Sequence, residues 1–326
     1  MKSEILHILR NQEGYVSGQE LCEKFGVSRT AVWKAINQLK AEGYEIEAVS
    51  NKGYHIIGCP DVISAEEVKS LLETGWAGQE IAYFSTVDST NNQAKRMAEE
   101  GAPHGTLVIA DEQTGGRGRR GRSWKTPPKS AIAMTLIVRP ELAPEKASML
   151  TLVMGMAVAA ACRNLLKLPV GIKWPNDVVA DGRKICGILT EMSAEMHAIH
   201  YLVIGTGINV NMQEFPEEIR EIATSLSLQT GYEINRAQLI CSCMECFEQY
   251  YDIFMETGDL SGLAPLYNQM LVNLDAEVRV LEPGNEYNGI CRGINEKGEL
   301  LVEKEDHVIE RVFAGEVSVR GIYGYI

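Results

Sequence analysis

Gly171-Ile172-Lys173-Trp174-Pro175-Asn176-Asp177-Val178-Val179 sets a Lys, an Asn and an Asp at the end of a β-run. Pro175 forbids simple continuation of that run, because proline has no N–H to give to a sheet ladder. Asp181-Gly182 then makes a hairpin turn, and Arg183-Lys184-Ile185-Cys186-Gly187-Ile188-Leu189 returns as a strand. Val203-Ile204-Gly205-Thr206-Gly207-Ile208-Asn209-Val210 is a further strand, with glycines where a ligand or another backbone can come close. The apolar segment 149–162, rich in Ala and Gly, reads as a buried helix. A mixed α/β domain with charged groups gathered at its strand ends is the expectation.

Upstream, 106–110 reads as a strand and runs into Asp111-Glu112-Gln113-Thr114-Gly115-Gly116-Arg117-Gly118-Arg119-Arg120-Gly121-Arg122. Gly116, Gly118 and Gly121 formally match G-x-G-x-x-G, but a dinucleotide fold needs a helix to open there. Pro127 and Pro128 follow instead, and no P-loop Lys-Ser/Thr is present. What remains is a loop with four arginines and Lys125 nearby, whose like charges repel until an anion orders them. Arg forks bind phosphate bidentately. Composition alone also allows a solvated basic loop that touches nucleic acid. Further upstream, Val87-Asp88-Ser89-Thr90-Asn91-Asn92 joins the strand 81–85 to a helix reaching about residue 100. Its hydroxyls and amides can cap that helix or grip a small polar ligand, and the segment does not choose between them.

The first 60 residues read as a separate unit. Ser17-Gly18-Gln19-Glu20 is a capping box before a short helix, Gly26 turns the chain, and Ser28 caps a second helix that stops at Gly43. Val32, Ile36 and Leu39 face inward at helical spacing; Arg29, Thr30, Trp33, Lys34 and Asn37 point elsewhere. The hairpin 44–57 follows, with Lys52 in its turn. This is the order of a winged helix-turn-helix, and DNA binding by Ser28, Arg29, Thr30, Trp33, Lys34, Asn37 and Lys52 is the leading reading over a protein-contact domain. Seven basic residues balance seven acidic ones in this head, so the net charge of −13 arises entirely beyond Pro60. Binding to nucleic acid must then come from placement of the bases rather than from bulk charge. Ser64-Ala65-Glu66-Glu67 is a second capping box, which places the boundary near residue 60.

In the bulk composition, 45% hydrophobic and 23% charged residues fit an ordinary globular chain of two or three domains. No apolar run approaches the ~20 residues of a membrane span. The start lacks a signal core, so residence in the cytosol without a membrane partner is expected. Cys241, Cys243 and Cys246 lie in a helical pattern at about 236–257, where free thiols act as small apolar groups; a zinc site would want a fourth ligand and CxxC spacing. His197 and His200 lack a metal-ligand context as well. Beyond residue 270, short β-runs at 277–281, 287–294, 300–303, 308–313 and 316–320 suggest a small β-barrel.

GGRGRRGR, KWPND, RKICGIL and GTGINVN together resemble the biotin–protein ligases, the biotin–[acetyl-CoA-carboxylase] ligase family. With the winged-helix head, the chain is similar end to end to the bifunctional kind that also represses the biotin operon. The resemblance implies an α+β multidomain protein. It would have a winged helix-turn-helix over 1–60, a class II synthetase-like catalytic domain over 61–270 and an SH3-like domain over 271–326. It implies ATP, Mg²⁺ and biotin as ligands. The implied partners are a carboxylase carrier domain, operator DNA and a second copy recruited when the adenylate binds. Ser89, Thr90, Asn91 and Gln113 then match positions that hold the biotin head group. Gly116, Arg117, Gly118, Arg119 and Arg120 fall on the loop that closes over biotin and adenylate. Lys184 matches the ligand-contacting lysine, with Gly187, Gly205 and Gly207 beside it. Lys173, Asn176 and Asp177 would serve the nucleotide, Asp177 also as a partner for Mg²⁺ or the incoming amine, and Asn209 the metal or phosphate. The catalytic set implied is Lys184, Arg119, Lys173 and Asp177. Two other readings stay open: a transcription factor that only senses biotin, and a ligase whose head merely orders the chain.

Overall fold

The computed structural model describes residues 1–196, 198–281, 286–314, 318–321 and 325–326. The head is built from α1 (Lys2–Asn11), α2 (Gly18–Phe25), α3 (Arg29–Ala41) and the hairpin β1 (Glu45–Val49) and β2 (Gly53–Gly58). Ser17 Oγ accepts from Glu20 N at 3.0 Å and Ser28 Oγ from Ala31 N at 3.3 Å, so both expected caps form. Helix α1 was not anticipated, since no side chain caps it. Its Ile5, Leu6, Ile8 and Leu9 close the head core against Leu21, Val32, Ile36 and Leu39.

Helix α4 (Ala65–Leu71) opens the second unit, and here the expected capping box is only half made. Ser64 Oγ accepts from Glu67 N at 3.2 Å, but the Glu67 carboxylate turns away toward the head. Arg10 donates to both its oxygens at 2.6 and 2.7 Å, and the Tyr44 hydroxyl donates at 2.5 Å. Burial, reinforced by this carboxylate, holds the Tyr44 phenol well above its usual range. A fully buried carboxylate is tolerable only when paired and hydrogen-bonded, and both partners come from the other unit.

The central sheet runs in the order β3-β4-β5-β9-β8-β7-β6. Its strands are β3 (Ile81–Val87), β4 (Leu107–Gln113), β5 (Ala131–Val138), β6 (Val170–Lys173), β7 (Asp177–Ala180), β8 (Arg183–Glu195) and β9 (Ala198–Asn209). Only β3 and β4 run parallel; every other neighbouring pair is antiparallel. Helix α5 (Thr90–Glu99) covers one face through Ala94 and Ala98, packed on Val108, Ile137 and Val203. The other face carries α6 (Met149–Leu166) and, packed on it, α8 (Arg236–Thr257) and α9 (Ala264–Met270); the short α7 (Leu226–Thr230) precedes α8.

Helix α6 is longer than the sequence suggested and, by length and composition, could cross a membrane. Within this fold 72% of its apolar window is buried, which is the behaviour of a core helix. Cys241, Cys243 and Cys246 are free and buried on α8, where burial pushes the Cys243 thiol well up. His200 is exposed beside Glu195, and His197 lies outside the described residues.

One buried charge ties the layers together. Arg236, 1% exposed, donates to Asp61 Oδ2 at 2.7 Å, to Asp111 Oδ1 at 2.7 Å and to the Ala131 carbonyl at 3.1 Å. Residues just after the head are thereby fixed to the ends of β4 and β5.

The last unit is an antiparallel sheet in the order β13-β12-β11-β10-β14. It comprises β10 (Glu277–Leu281), β11 (Tyr287–Ile294), β12 (Leu300–Glu303), β13 (Ile309–Val312) and β14 (Ser318–Gly321). The five runs expected there become these strands, although the last run begins at Glu316, outside the described residues. Among the described residues no β13–β14 pairing closes the sheet into a barrel.

Candidate active site

The cleft floor starts at the β3–α5 corner. Ser89 precedes the helix but its side chain does not cap it. Gln113, from the end of β4, takes that part: its Oε1 accepts from Thr90 N at 2.8 Å and Thr90 Oγ1 at 3.1 Å. Thr135 Oγ1 lies 2.8 Å from both Thr90 Oγ1 and Asn91 Oδ1, its single proton shared between the two acceptors, while Asn91 Nδ2 donates to Glu191 Oε2 at 2.8 Å. Burial works against the Glu191 charge, yet hydrogen bonds from Lys95 and Asn91 bring its carboxyl below the usual value. The corner is thus a polar network held by β4, β5 and β8.

Glycines on β9 make room for it. A Cβ on Gly205 would lie 2.0 Å from Asn91 Oδ1, and one on Gly207 would lie 2.4 Å from the Trp124 indole. No side chain could occupy either place without displacing the corner or the loop.

The basic loop folds as a hairpin instead of standing open as its charge suggested. Gln113 bridges to Thr126 and Arg117 to Ser123, and Gly118 N donates to Arg122 O at 2.7 Å around a short 3₁₀ turn at Arg119–Gly121. Two anchors offset the charge repulsion. Trp124 lays its ring against Gly207, with its Nε1 buried and unpaired. Arg119 donates to Asn176 Oδ1 at 2.9 Å and to the Ala314 carbonyl of the last unit at 3.0 Å. Burial lowers the Arg119 pKa from its ordinary value, and it still carries its charge. Beneath the hairpin the cleft encloses about 50 Å³.

At the cationic end, Lys184 Nζ lies 2.5 Å from Asp177 Oδ1, an ion pair without hydrogen-bond alignment, and 5.5 Å from the Trp124 ring centroid. Lys173 is 6% exposed with Nζ 4.1 Å from the Tyr325 ring centroid. Burial, partly offset by Asp177, brings the Lys173 ammonium down to about 8.

The structure gathers Ser89, Thr90, Asn91, Gln113, Arg117, Gly118 and Arg119 around one cleft, with Asn176, Lys184, Gly187, Gly205 and Gly207 opposite. Lys173 and Asp177 stand behind Lys184. Other expected positions fall elsewhere. Gly116 packs on Trp124 and Gln113; Arg120 is exposed on the outer side of the hairpin, facing a second groove. Asn209 is buried and donates to the Thr224 carbonyl at 3.1 Å, outside the cleft lining. Trp124 and Tyr325 were missed; only the adjacency of Trp124 to the arginines could have flagged the first. In the head, Arg29, Thr30, Trp33 and Lys34 are exposed on α3, and Ser28 serves as its N-cap. Asn37 is half-buried, Arg29 donates to Gln19 Oε1 at 3.0 Å, and Lys52 lies 5.6 Å from the Tyr15 ring.

A recognition helix set beside a wing, joined to a sheet whose polar cleft ends in lysines beneath an arginine hairpin, defines a ligase with a DNA-binding head. The chain belongs to the biotin/lipoate A/B protein ligase family, whose model matches residues 83–209. An HTH domain matches residues 2–55 and the biotin protein ligase C-terminal domain 274–320. It is similar to the bifunctional ligase/repressor BirA of Bacillus subtilis, 38% identical over 94% of each chain. The BirA of Escherichia coli is 31% identical over 97% of this chain and 96% of that one. Among solved structures, the biotin protein ligase of Aquifex aeolicus in complex with biotin and ATP superposes with a TM-score of 0.66. It is 30% identical and covers 74% of this chain and 99% of its own.

Proposed function

We propose that this chain is an ATP-dependent biotin–protein ligase that doubles as a biotin-responsive repressor. One observation carries the reading: a hydrogen-bonding corner fit for a neutral cyclic urea opens, within one cleft, onto a cationic end fit for carboxylate and phosphate. A biotin carboxylate oxygen would bond to the α-phosphorus of ATP as pyrophosphate leaves. A carrier lysine amine would then bond to the acyl carbon as AMP leaves. Ser89, Thr90, Asn91 and Gln113 hold the ring. Arg117, Gly118 and Arg119 close over the adenylate, and Lys184 meets the reacting carboxylate and phosphate. Lys173, Asn176 and Asp177 serve the nucleotide side. Such catalysis is positioning plus electrostatic stabilisation.

The Mg²⁺ that the family implies finds no protein-built site. No group of three metal-binding side chains occurs among the described residues, and Asp177 is already engaged by Lys184 and Tyr325. No step is routed through it. Repression would follow from a symmetric pair of chains, formed on adenylate binding in the cytoplasm, that sets two α3 helices on paired half-sites.

The decisive experiment is carrier biotinylation with labelled biotin against lipoate, joined to a gel shift on a palindromic operator with and without biotin plus ATP. Labelling of the carrier by lipoate instead of biotin would overturn the ligase reading. A shift indifferent to ligand would remove the biotin response, and no shift under either condition would leave the head as an ordering module.

Arg119→Gly removes the ties to Asn176 and Ala314, so the hairpin is expected to release adenylate. Mass spectrometry of an unrelated protein added to the reaction should find biotinylated lysines above the wild-type level; equal labelling refutes the role. For Lys173 the sign of the pH effect is set by burial: the ammonium persists below about 8 and is neutral above it. The KM for ATP is expected to rise as pH passes through that value in wild type and to stay flat in Lys173→Arg. Parallel curves for the two proteins would remove Lys173 from nucleotide binding.

A further inference from the structure

We infer that Tyr325 is a positioning residue of the active centre, seating Asp177 through its hydroxyl and Lys173 through its ring. The hydroxyl donates to Asp177 Oδ2 at 2.5 Å across 148 residues of sequence, while Lys184 holds the other oxygen of the same carboxylate. The ring centroid lies 4.1 Å from Lys173 Nζ, close enough for a cation–π contact that is strongest where the cation is desolvated. One side chain from the end of the last unit therefore touches Lys173 and Asp177 and, through Asp177, restrains Lys184.

The segment that carries it is set on the same hairpin. A Cβ on Gly321 would lie 1.8 Å from the Ile326 carbonyl oxygen, so Ile326 lies against the end of β14 where only glycine leaves space. A Cβ on Gly182, in the β7–β8 turn, would be 3.7 Å from Ile326 Cδ1. Asp177 begins β7 and Lys184 lies at the start of β8, so Ile326 touches the turn between them. Without the Tyr325 hydroxyl, Asp177 would bind Lys184 alone and draw its ammonium away from the cleft. Without the ring, Lys173 would lose its seat as well.

This inference rests on the proposed roles of Lys184, Lys173 and Asp177, and the test separates the two. Adenylate formation is measured as single-turnover pyrophosphate release on the full chain, with ATP varied, for Tyr325→Phe, Tyr325→Leu and Lys184→Ala, each with a thermal melt. Tyr325→Phe keeps the ring and loses one charge-assisted hydrogen bond; a loss of about ten-fold in rate is expected, with KM for ATP within about two-fold. Tyr325→Leu loses both contacts; a fall of about 100-fold is expected, with KM for ATP also raised. Equal losses in Phe and Leu that track a loss of folded protein would make Tyr325 a packing residue and overturn the inference. Normal kinetics in both beside a crippled Lys184→Ala would overturn it and keep the functional reading. Normal kinetics in Tyr325→Leu and Lys184→Ala together would discard the reading itself.

Discussion

Lys184→Ala is expected to slow adenylate formation by about 100- to 1,000-fold while the protein stays folded. The side chain is not needed to hold its strand: Lys184 N donates to Ile222 O at 2.7 Å and Thr224 N to Lys184 O at 2.9 Å, and both bonds survive truncation. What disappears is the one ammonium that both lines the cleft and pairs with Asp177. A fixed cation aimed at developing charge in a closed site is worth about 3 kcal/mol of barrier, because no solvent has to reorganise around it during reaction. Pyrophosphate release at saturating biotin and ATP, with circular dichroism on the same sample, measures this directly. A folded variant releasing pyrophosphate near the wild-type rate would sink the assignment.

Arg236→Met should cost about 3–5 kcal/mol of stability, at the lower end of that range because Asp61 and Asp111 keep some access to water. The methionine fills most of the space but strands two carboxylates and the Ala131 carbonyl that the guanidinium satisfied. The effect should also reach the site, since Asp111 and Gln113 share the end of β4, and Lys129 N donates to Asp111 across the base of the basic hairpin. Urea unfolding followed by far-UV circular dichroism tests the first part. Titration with biotin tests the second, with weaker binding expected. A loss under about 1 kcal/mol would mean that both carboxylates rehydrate freely.

The parts legible in the sequence share a cause: each leaves its mark within a few residues. Caps at Ser17 and Ser28, the α8 periodicity and the Asp181-Gly182 turn all appear where local chemistry put them. So does the cleft floor, because Ser89–Asn91 and the β9 glycines are unusual residues for their elements. Helix α1 escaped because it has no capping side chain. Glu67 misled for a different reason, as its spacing from Ser64 satisfied a local rule while its carboxylate was committed to Arg10 and Tyr44. Asn209, which the resemblance assigned to the metal or phosphate, is buried with its amide nitrogen on the Thr224 carbonyl, a long-range contact that its neighbours in sequence do not record. Trp124 and Tyr325 act through contacts between distant segments, and nothing in their immediate neighbours records that. The loop's charge gave no sign of its hairpin shape, which Trp124 and Arg119 impose.

The Arg10–Glu67–Tyr44 contact bears on how this protein can be taken apart. Family boundaries invite a cut near residue 60 to yield a reader and a ligase as interchangeable parts. Such a cut would leave the reader with an unmatched guanidinium and the ligase with a bare carboxylate on a surface shaped to be covered. A head borrowed from a relative would graft cleanly only if it brought its own donors for Glu67. Position 67, far from either ligand, therefore governs whether the two halves can be exchanged.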